Sequence, residues 1–437
     1  MNRRKFIKNT SIATVAAVSG ISVSKLNAKG LAAPVRAKDS ILKIGLIGCG
    51  WYGMVIAKAA LQAGGVEIAA VADVDSAHLS ESINELKSLQ GSYPKGFQDY
   101  RELIGFANLD AVMIATPPHW HALQFIAACE KGLPIYCEKP LAYDLDEGKA
   151  MVRAAQKAGN IVQIGFQRRQ NQAFRKAREI IDGGKIGNVL QVAAQIHFNP
   201  GKVDTKVQAP PASLDWDAWC GPAPKLPYRP SIGHRAWRLE KEYGNGHLVD
   251  WGIHNIDIIR KTMDFAMPDM IEASGGIFLL KERVTTPDTL IAKLLFDDIP
   301  VIWQHRLWGT GDLDPQFNNG VIFYGEKGTL FSSDTRLVLI PAGRDKKQEI
   351  IERPTPDMQE KHVAEFIKAV KTGNRTLISC SPEDGYQSTA SVQLAMIAYE
   401  TGSKLNWDSS GNHIINNPEA EKLQARPYRE GYKRPVV

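Results

Sequence analysis

The sequence predicts an α/β fold in two parts, a doubly wound parallel domain followed by an α+β domain with a large, open, mostly antiparallel sheet. Up to about residue 165, apolar strand segments alternate with helical segments, which is the order of βαβ units. Beyond that point most segments have strand composition and many are joined by glycine or proline turns, which favours antiparallel pairing. With 437 residues, the chain is long enough to build two domains.

The first strand runs directly into a glycine-rich turn. The apolar segment Lys43–Ile47 is followed by glycines in the spacing G-x-G-x-x-G and then by helix-forming residues. Glycines at this spacing allow a tight turn and a close approach of the backbone to a pyrophosphate at the helix N-terminus. The turn therefore predicts a dinucleotide site that contains Gly48, Gly50, Trp51, Tyr52 and Gly53.

The second strand supports the same interpretation. The apolar segment Val66–Ala72 ends in Asp73, which lies 20 residues beyond Gly53. A carboxylate at that distance hydrogen-bonds the ribose of the nucleotide and repels a 2′-phosphate. No arginine follows Asp73 closely to reverse this preference. Together with the glycine turn, Asp73 predicts a Rossmann domain that prefers NAD to NADP.

The remaining elements follow from the order of the segments. Parallel strands are expected at Ala111–Ala115, Pro134–Cys137 and Ile161–Ile164, separated by helices at His121–Glu130 and Leu145–Ala158. The second domain is expected to hold a helix within Glu242–Met263, helices at Glu360–Lys371 and Pro382–Glu400, and strands at Val189–His197, Asp269–Phe278, Leu290–Phe296, Val301–Leu307, Gly320–Tyr324, Gly328–Ser332 and Arg336–Ile340. The predicted boundaries are a leader and linker at 1–38, the Rossmann domain at 39–165, the α+β domain at 166–405 and a C-terminal tail at 406–437, which is expected to be polar and irregular from Asn417 and to lie across the surface.

The N-terminus is interpreted as a targeting segment and left out of the fold. Asn2–Lys8 contains two adjacent arginines in a twin-arginine signature, and a modest apolar stretch, Ser11–Val23, follows. That stretch is too short to span a bilayer, so we expect no stable membrane insertion. The segment predicts export to the periplasm, with a cleavage point near Ala28–Ala33.

Charge and cysteine content narrow the class of protein. The net charge is +6, but the first 38 residues hold eight basic residues and no acidic ones, so the remainder carries about −2. No basic face for nucleic acid is implied. The five cysteines are scattered without C-x-x-C or metal-ligand spacing, which indicates buried thiols rather than disulfides.

A proline-stiffened loop follows the strand at Ala111–Ala115, at the edge where ligands of such sheets bind. It begins with Thr116 and Pro117 and continues through His119 and His121. Two interpretations of the histidines remain open: they contact the cofactor, or they cap and pack the helix that follows.

The next strand ends in Glu138, Lys139 and Pro140. A lysine at this edge, beside a nicotinamide ring, has its ammonium partly desolvated and can hold or polarise a hydroxyl or a carbonyl. The structural alternative is a solvated lysine in a turn.

An acid and a histidine share one face of the helix expected within Glu242–Met263. Asp250 and His254 are four residues apart, which orients a carboxylate toward an imidazole, as general acid–base chemistry requires. The structural alternative is a helix-terminal acid with a buried, hydrogen-bonded histidine. His247 extends the same face and offers a metal site as a minority interpretation, but no further ligands are evident, so no metal is assigned.

These motifs, in this order, resemble the Gfo/Idh/MocA oxidoreductase family, which includes glucose–fructose oxidoreductase and inositol dehydrogenase. The resemblance covers the chain after residue 40, and Asp257 extends it. Residues 214–222 and the Trp-Arg pair at 237–238 are similar to an exported, twin-arginine subgroup. The resemblance implies that Lys139 holds the reacting hydroxyl, that His254 accepts its proton, and that Asp250 supports the histidine or the substrate.

The same resemblance implies a substrate cleft. Tryptophan faces suit sugar rings, and arginines suit hydroxyls or carboxylates. The expected lining is Arg168, Arg169, Trp237, Arg238 and Asn255. The family also implies a homo-oligomer, either a dimer or a tetramer, that covers the exposed face of the antiparallel sheet.

The predicted function is an NAD(P)-dependent oxidoreductase that transfers hydride between a sugar or glycoside hydroxyl carbon and a tightly bound nicotinamide. Export implies tight binding, because free dinucleotide is scarce outside the cytoplasm and a retained cofactor must be recycled in place. The alternative is a redox-neutral, NAD-dependent glycosidase or lyase that acts through a transient keto-sugar. A sugar sensor without activity is disfavoured by the complete set of Lys139, Asp250 and His254.

Overall fold

The described chain builds two sheets, one parallel and one mixed. The computed structural model describes residues 40–202, 204–309, 314–343 and 347–437. The expected twin-arginine leader, 1–38, lies outside these residues. Within the described ranges, no helix has both the length and the apolar composition that a membrane crossing requires.

The first sheet is parallel. It contains β1 (Leu42–Ile47), β2 (Val66–Ala72), β3 (Lys95–Phe97), β4 (Ala111–Ile114), β5 (Ile135–Glu138) and β6 (Val162–Gly165). The spatial order is β3-β2-β1-β4-β5-β6. Aliphatic β4, β5 and β6 are buried throughout, as a sheet covered on both faces requires. The order reverses between β1 and β4, so the carboxyl ends of these strands flank the crevice where such sheets bind ligands.

Helices cover both faces of this sheet. They are α1 (Trp51–Ala63), α2 (Ser76–Gln90), α3 (Tyr100–Gly105), α4 (Pro118–Glu130) and α5 (Leu145–Ala158). Asp75, Asp99 and Asp144 accept backbone N–H bonds at the starts of α2, α3 and α5. Helix α1 has no side-chain cap, because it begins at the glycine turn, and its first N–H groups are left for a ligand.

The second sheet is mostly antiparallel. Its ten strands are β7 (Val189–Gln195), β8 (Met270–Gly276), β9 (Thr289–Phe296), β10 (Ile299–Arg306), β11 (Gly320–Gly325), β12 (Gly328–Ser332), β13 (Leu337–Pro341), β14 (Glu349–Glu352), β15 (Leu405–Asp408) and β16 (His413–Ile414). They lie in the order β14-β13-β12-β11-β7-β10-β9-β8-β15-β16. Among the described strands, β7 and β10 form the one parallel pair in it.

The helices of the second half connect both sheets. They are α6 (Gln172–Asp182), α7 (Trp216–Cys220), α8 (Ile253–Met263), α9 (Met358–Thr372), α10 (Pro382–Thr401) and α11 (Pro418–Lys422). Helix α10 contacts α5, α8 and β8. Helix α9 returns to the first domain and packs against α1, where Val363 and Phe366 share a core with Leu42 and Ile44.

The predicted fold class is confirmed, a parallel sheet followed by a mostly antiparallel one. The predicted strands agree with the observed ones to within two residues at each end. Short strands at the sheet edges, β3, β14, β15 and β16, were not predicted, because two to four residues carry little periodicity. The helix expected within Glu242–Met263 is split into a π-helical turn, Leu248–Gly252, and α8. All five cysteines are buried free thiols, as expected.

The C-terminal tail, expected to be irregular from Asn417, forms the short helix α11 and is irregular after it, and charged groups anchor it to the first domain. Arg434 forms a 2.5 Å ion pair with Asp144, the residue that caps α5. Tyr428 donates a 2.8 Å hydrogen bond to Glu147, whose pKa is raised by burial to about 7. Tyr432 packs edge-on against Trp120 of α4. The tail therefore completes the edge of the cleft described below.

Candidate active site

The three glycines of the turn meet three different steric demands. Gly48 has a φ of +92°, and a Cβ there would lie 2.9 Å from the backbone of Ala115 and Thr116. A Cβ on Gly53 would lie 1.9 Å from the carbonyl oxygen of Gly48, so this glycine allows α1 to pack on β1. Gly50 has no atom within 4 Å of a built Cβ. The open space at Gly50, beside the uncapped start of α1, fits a pyrophosphate.

Asp73 faces the glycine turn from the end of β2. Its carboxylate accepts hydrogen bonds from the backbone N–H of Cys49, at 2.7 Å, and of Asp75, at 2.8 Å. These two bonds fix a negative charge at the expected ribose position. The arrangement suits a ribose diol and disfavours a 2′-phosphate.

A cavity of about 1070 Å³ lies over the carboxyl ends of β1, β2 and β4. Its size matches the upper range of cofactor pockets. The first domain contributes the glycine turn to its wall, together with Asp73, Thr116 and Pro117. Trp237 and Arg238 line it from the second half of the chain, and Tyr432 lines it from the tail. The cavity thus contains most of the residues expected to hold a dinucleotide.

A segment of the second half, residues 213–238, closes over this cavity, and we call it the strap. The backbone N–H of Ser76 donates to the carbonyl of Ser213 at 2.9 Å, and that of Asp215 donates to Val74 at 3.1 Å. Farther along, the guanidinium of Arg235 stacks over the ring of Trp51, 4.8 Å from its centroid. The strap therefore binds both the ribose side and the pyrophosphate side of the cleft.

Lys139 and Asp250 meet beside Arg238, outside the set of residues that line the cavity. The Lys139 ammonium donates to the Asp250 carboxylate at 2.9 Å and to its backbone carbonyl at 2.7 Å. Arg238, which lines the cavity, pairs with the other carboxylate oxygen at 3.1 Å. Burial opposes ionisation of Asp250, but the two cations hold its pKa below the usual value. Asp250 is therefore a buried carboxylate shared by two cations.

His254 lies beside this pair with an unused ring nitrogen. Its Nδ1 is buried and has no hydrogen-bond partner among the described residues. Burial lowers the pKa of His254 well below its usual value, and the charges of Lys139 and Arg168 lower it further. The imidazole therefore stays neutral at physiological pH and can accept a proton.

The structure corrects the expected pairing of Asp250 with His254. No hydrogen bond joins them within the described chain, because Lys139 and Arg238 occupy the carboxylate. The edge of the His254 ring instead faces Phe166, with the ring centroids 6.4 Å apart. The helical spacing brought the two residues into one site but not into contact.

Arg168 and Asn255 form the wall behind His254. Arg168 donates to the Asn255 side-chain oxygen at 2.6 Å and pairs with Asp334 at 2.7 Å. The amide nitrogen of Asn255 is buried and lacks a partner in the described part of the chain. This amide is a donor available to a ligand, whereas the Arg168 guanidinium is committed to protein oxygens.

Arg169 does not line the cleft, which corrects the expectation for this residue. Its guanidinium forms a two-pronged pair with Asp257, at 2.6 and 2.9 Å, and both side chains are about 2% exposed or less. A third bond reaches Asp384. Arg169 and Asp257 instead hold the turn after β6 to α8 and α10.

Replacing Arg169 by methionine is expected to destabilise the fold by about 3–5 kcal/mol, because Asp257 would be left as an uncompensated buried charge. Urea unfolding would measure the loss. Arg178→Met provides the control, since Arg178 pairs with Asp182 on the exposed surface of α6, where such a pair contributes about 0.5 kcal/mol. Equal stability of the two variants would contradict a structural role for Arg169.

Three other expected cofactor contacts are buried away from the cavity. The Nε2–H of His119 donates to the Trp219 carbonyl, and the ring packs against Trp219 and Tyr243. His121 bridges the backbone carbonyls of Thr116 and Pro140. Glu138 packs against Gly165, and burial raises its pKa to about 7. The packing interpretation of both histidines agrees with the structure, and these side chains support the loops instead of touching a ligand.

His247 does not complete a metal site with Asp250 and His254. Its ring stacks on Phe198, 5.9 Å between centroids, and burial lowers its pKa to about 4. Among the described residues, the His, Cys, Asp and Glu side chains that bring three ligand atoms together are Asp75, His78 and His234, and both of these histidines line the cavity.

Sequence reasoning missed the residues that reach the cavity from distant parts of the chain. Arg235 and Tyr432 line it, and Gln167 and Gln359 hydrogen-bond the Tyr52 hydroxyl at 2.7 and 2.6 Å. No local pattern marks such positions, because they converge only through tertiary packing. The aromatic residues of the tail were the available signal.

Relatives with curated names match much of the chain. Myo-inositol 2-dehydrogenase of Thermotoga maritima is 26% identical over 356 residues, which are 79% of this chain and 92% of that protein. Inositol 2-dehydrogenase 3 of Saccharopolyspora erythraea is 32% identical over 166 residues, 38% of this chain and 47% of that protein.

Solved structures share the fold. Levoglucosan dehydrogenase, in complex with NADH and levoglucosan, aligns with a TM-score of 0.65 and 20% identity over 84% of this chain and 99% of that one. An oxidoreductase from Agrobacterium radiobacter, in complex with NAD⁺, L-tartaric acid and magnesium, aligns with a TM-score of 0.65 and 19% identity over 84% and 98% of the two chains.

Family models match both halves. The NAD-binding Rossmann fold of the oxidoreductase family matches residues 42–166. The C-terminal alpha/beta domain of that family matches residues 171–274 and 314–434. Because the two models together span nearly all of the described chain, in the order that the motifs require, the protein belongs to the Gfo/Idh/MocA family of NAD-binding oxidoreductases.

Proposed function

We propose that the protein transfers hydride between a hydroxyl-bearing carbon of a sugar or glycoside and a tightly bound NAD. The observation that carries this proposal is the junction of the dinucleotide cavity with Lys139, Asp250 and a neutral His254, through Arg238. A cation that holds oxygen and a base that accepts a proton are the two groups that alcohol oxidation requires.

Different residues bind the different parts of the cofactor and the substrate. The glycine turn and the start of α1 hold the pyrophosphate, and Asp73 holds the ribose. When bound, the nicotinamide ring supplies the two-electron acceptor for the carbon. Lys139 donates a hydrogen bond to the substrate oxygen, and its pairing with Asp250 fixes the position of its ammonium.

His254 acts as the base. Its low pKa keeps a ring nitrogen free of a proton, so it can take the hydroxyl proton as the carbonyl forms. In the reverse direction the imidazolium returns this proton. Asp250 touches Lys139 and Arg238 in place of His254, so its role is to position the two cations.

We infer the substrate class from the side chains around the proposed substrate position and from the named relatives. Trp237 offers an aromatic face and Arg238 offers donors, both in the cavity lining. The unpartnered Asn255 amide offers another donor near His254. The named relatives act on cyclic polyols or on levoglucosan, as their names state, and such ligands present several hydroxyls. We infer a sugar or glycoside with hydroxyls on adjacent carbons.

Retention of the cofactor is the second part of the proposal. The strap crosses the cleft and binds α2 and Trp51, so bound NAD leaves only if these contacts open. The twin-arginine motif of the leader supports export of the folded, loaded protein to the periplasm. A retained cofactor is recycled either by a second substrate or within a redox-neutral cleavage through a keto-sugar.

We also propose a homo-oligomer formed through the open face of the second sheet. Helices α8 and α10 cover its other face. The open face carries apolar side chains on β9, β10 and β11, with Ile291 and Tyr324 exposed and Ile302 and Ile322 partly exposed. Such a patch is typical of an interface between subunits. A monomer by light scattering at micromolar concentration would contradict this assignment.

The decisive experiment is to add a panel of sugars and glycosides to the protein as purified and to record the absorbance of reduced nicotinamide. We expect a rapid, reversible rise with one substrate, without added cofactor. Release of the aglycone with no net reduction would identify the redox-neutral alternative. His254→Gln should lower the rate of nicotinamide reduction by about 10³-fold, whereas the surface variant His413→Gln should keep the wild-type rate. Bound NAD with no response to any sugar would contradict the proposal.

A further inference from the structure

A carboxylate and two imidazoles converge on the ribose side of the cavity, away from Lys139. Asp75 caps α2, and His78 follows within the first turn of that helix. His234 comes from the strap, and its Nε2 lies 3.2 Å from the Asp75 carboxylate. One ligand atom from each of Asp75, His78 and His234 lies within 4.8 Å of the other two.

The two imidazoles have little else to bind. The Asp75 carboxylate accepts the Ala77 N–H and a hydrogen bond from the Ser213 side chain, and one of its oxygens lies against His234. Neither imidazole has another hydrogen-bond partner in the described part of the chain. The two rings are 4.6 Å apart between centroids, so no base or sugar ring fits between them. Stacking on the adenine from both sides therefore does not explain the pair.

Two imidazoles and a carboxylate are a ligand set suited to zinc and to neighbouring divalent transition metals. Metal–ligand bonds of about 2.0–2.2 Å require ligand atoms roughly 3.4 Å apart. His234 is one-third exposed and can make this adjustment by side-chain rotation, whereas Asp75 is buried and fixed by its capping bond. His78 and His234 both line the cavity, so water from the cavity can complete a tetrahedron.

We propose that Asp75, His78 and His234 bind one divalent transition-metal ion of the zinc class, and that this ion fastens the strap to the nucleotide-binding domain. Two ligands belong to α2 and the third to the strap, so the ion links the two sides of the cleft. The effect of the ion on NAD retention rests on the proposed function, whereas the metal site does not depend on it. Opening the strap would require breaking a metal–imidazole bond as well as the contacts of Ser76 and Trp51.

The test is a titration of the chelator-treated protein, with its cofactor bound, by Co²⁺, whose visible absorption reports coordination. We expect one equivalent to bind with a tetrahedral-type spectrum. His78→Ala and His234→Ala should each weaken binding by about 10–100-fold or more. His413→Ala is the matched control, because His413 lies 3.7 Å from Asp408 on the exposed surface and belongs to no three-residue cluster in the described ranges.

A second readout is the rate at which NAD leaves the protein, followed by separating free from bound nucleotide. Zn²⁺ should slow this release by at least about tenfold in the wild type and should have no effect in His234→Ala. Absence of Co²⁺ binding tighter than about 100 μM, or equal binding by wild type and both variants, would overturn the site. Metal binding with unchanged NAD release would overturn the fastening role alone. Neither Co²⁺ binding nor NAD release depends on turnover of a sugar. A protein that turns over no sugar would therefore contradict the proposed function without contradicting the metal site.

Discussion

Lys139→Met is expected to lower kcat/KM for the oxidised sugar by about 10³-fold. Methionine matches the length of the lysine chain but removes the ammonium that donates to Asp250 and, in our proposal, to the substrate oxygen. The fold should persist, because Arg238 still pairs with the Asp250 carboxylate. Steady-state kinetics with the substrate found in the panel, together with urea unfolding, would separate the two effects.

Lys149→Met is the matched control for this variant. Lys149 lies on α5 and pairs with Asp146 at 3.1 Å, near the surface and outside the lining of the cavity. Its loss should leave kcat/KM within about twofold of the wild type, since a single surface ion pair contributes less than about 1 kcal/mol. Retention of more than about a tenth of the wild-type activity by Lys139→Met would contradict the role assigned to its ammonium.

Acidification from pH 7 to pH 5 is expected to destabilise the protein by about 5 kcal/mol. Burial lowers the pKa of His119 and His305 to about 3 and of His247 and His362 to about 4. Burial also lowers the pKa of His254 well below its usual value. These imidazoles are neutral in the folded protein but become protonated in the unfolded chain below about pH 6.5. Unfolding therefore takes up protons, and stability is lost as the pH falls below that value.

Two buried carboxyl groups oppose this effect only in part. Burial raises the pKa of Glu138 and Glu147 to about 7. These groups are protonated in the folded protein and ionised in the unfolded chain between about pH 4.5 and pH 7, so they favour folding as the pH falls. Five histidines against two carboxyls leave a net uptake of about three protons on unfolding near pH 5.5. Urea midpoints at the two pH values, and calorimetry in buffers of different ionisation enthalpy, would measure the change. An unchanged midpoint, or proton release on unfolding, would contradict it.

The fold of the first domain could be predicted from the sequence because the motifs that indicate it are local. The strand, the glycines and Asp73 lie within one βαβ unit, and each requirement is met by a nearby residue. The second sheet was predicted from runs of strand composition, although the parallel pairing of β7 with β10 was not, since pairing joins distant segments. The π-helical turn before α8 has no distinctive composition, which explains why one continuous helix was expected.

Within the site, sequence reasoning selected residues better than it assigned contacts. Lys139 and Asp250 were chosen separately and do meet, over a separation of 111 residues. Arg168 and Arg169 are adjacent and share the same chemistry, yet one lies beside His254 and the other pairs with the buried Asp257. Which of two neighbouring arginines faces a site depends on the turn that carries them, and this turn is set by tertiary packing.

Helix α9 has a consequence for how the protein is made. Its side chains Val363, Phe366 and Ile367 fill the core beneath β1 and α1, so the nucleotide-binding half lacks part of its interior until residue 372 has been synthesised. A nascent chain that has emerged only as far as β6 would expose that apolar surface. We therefore expect the first half to acquire its final stability only after α9 has been synthesised, and NAD to be captured after that moment.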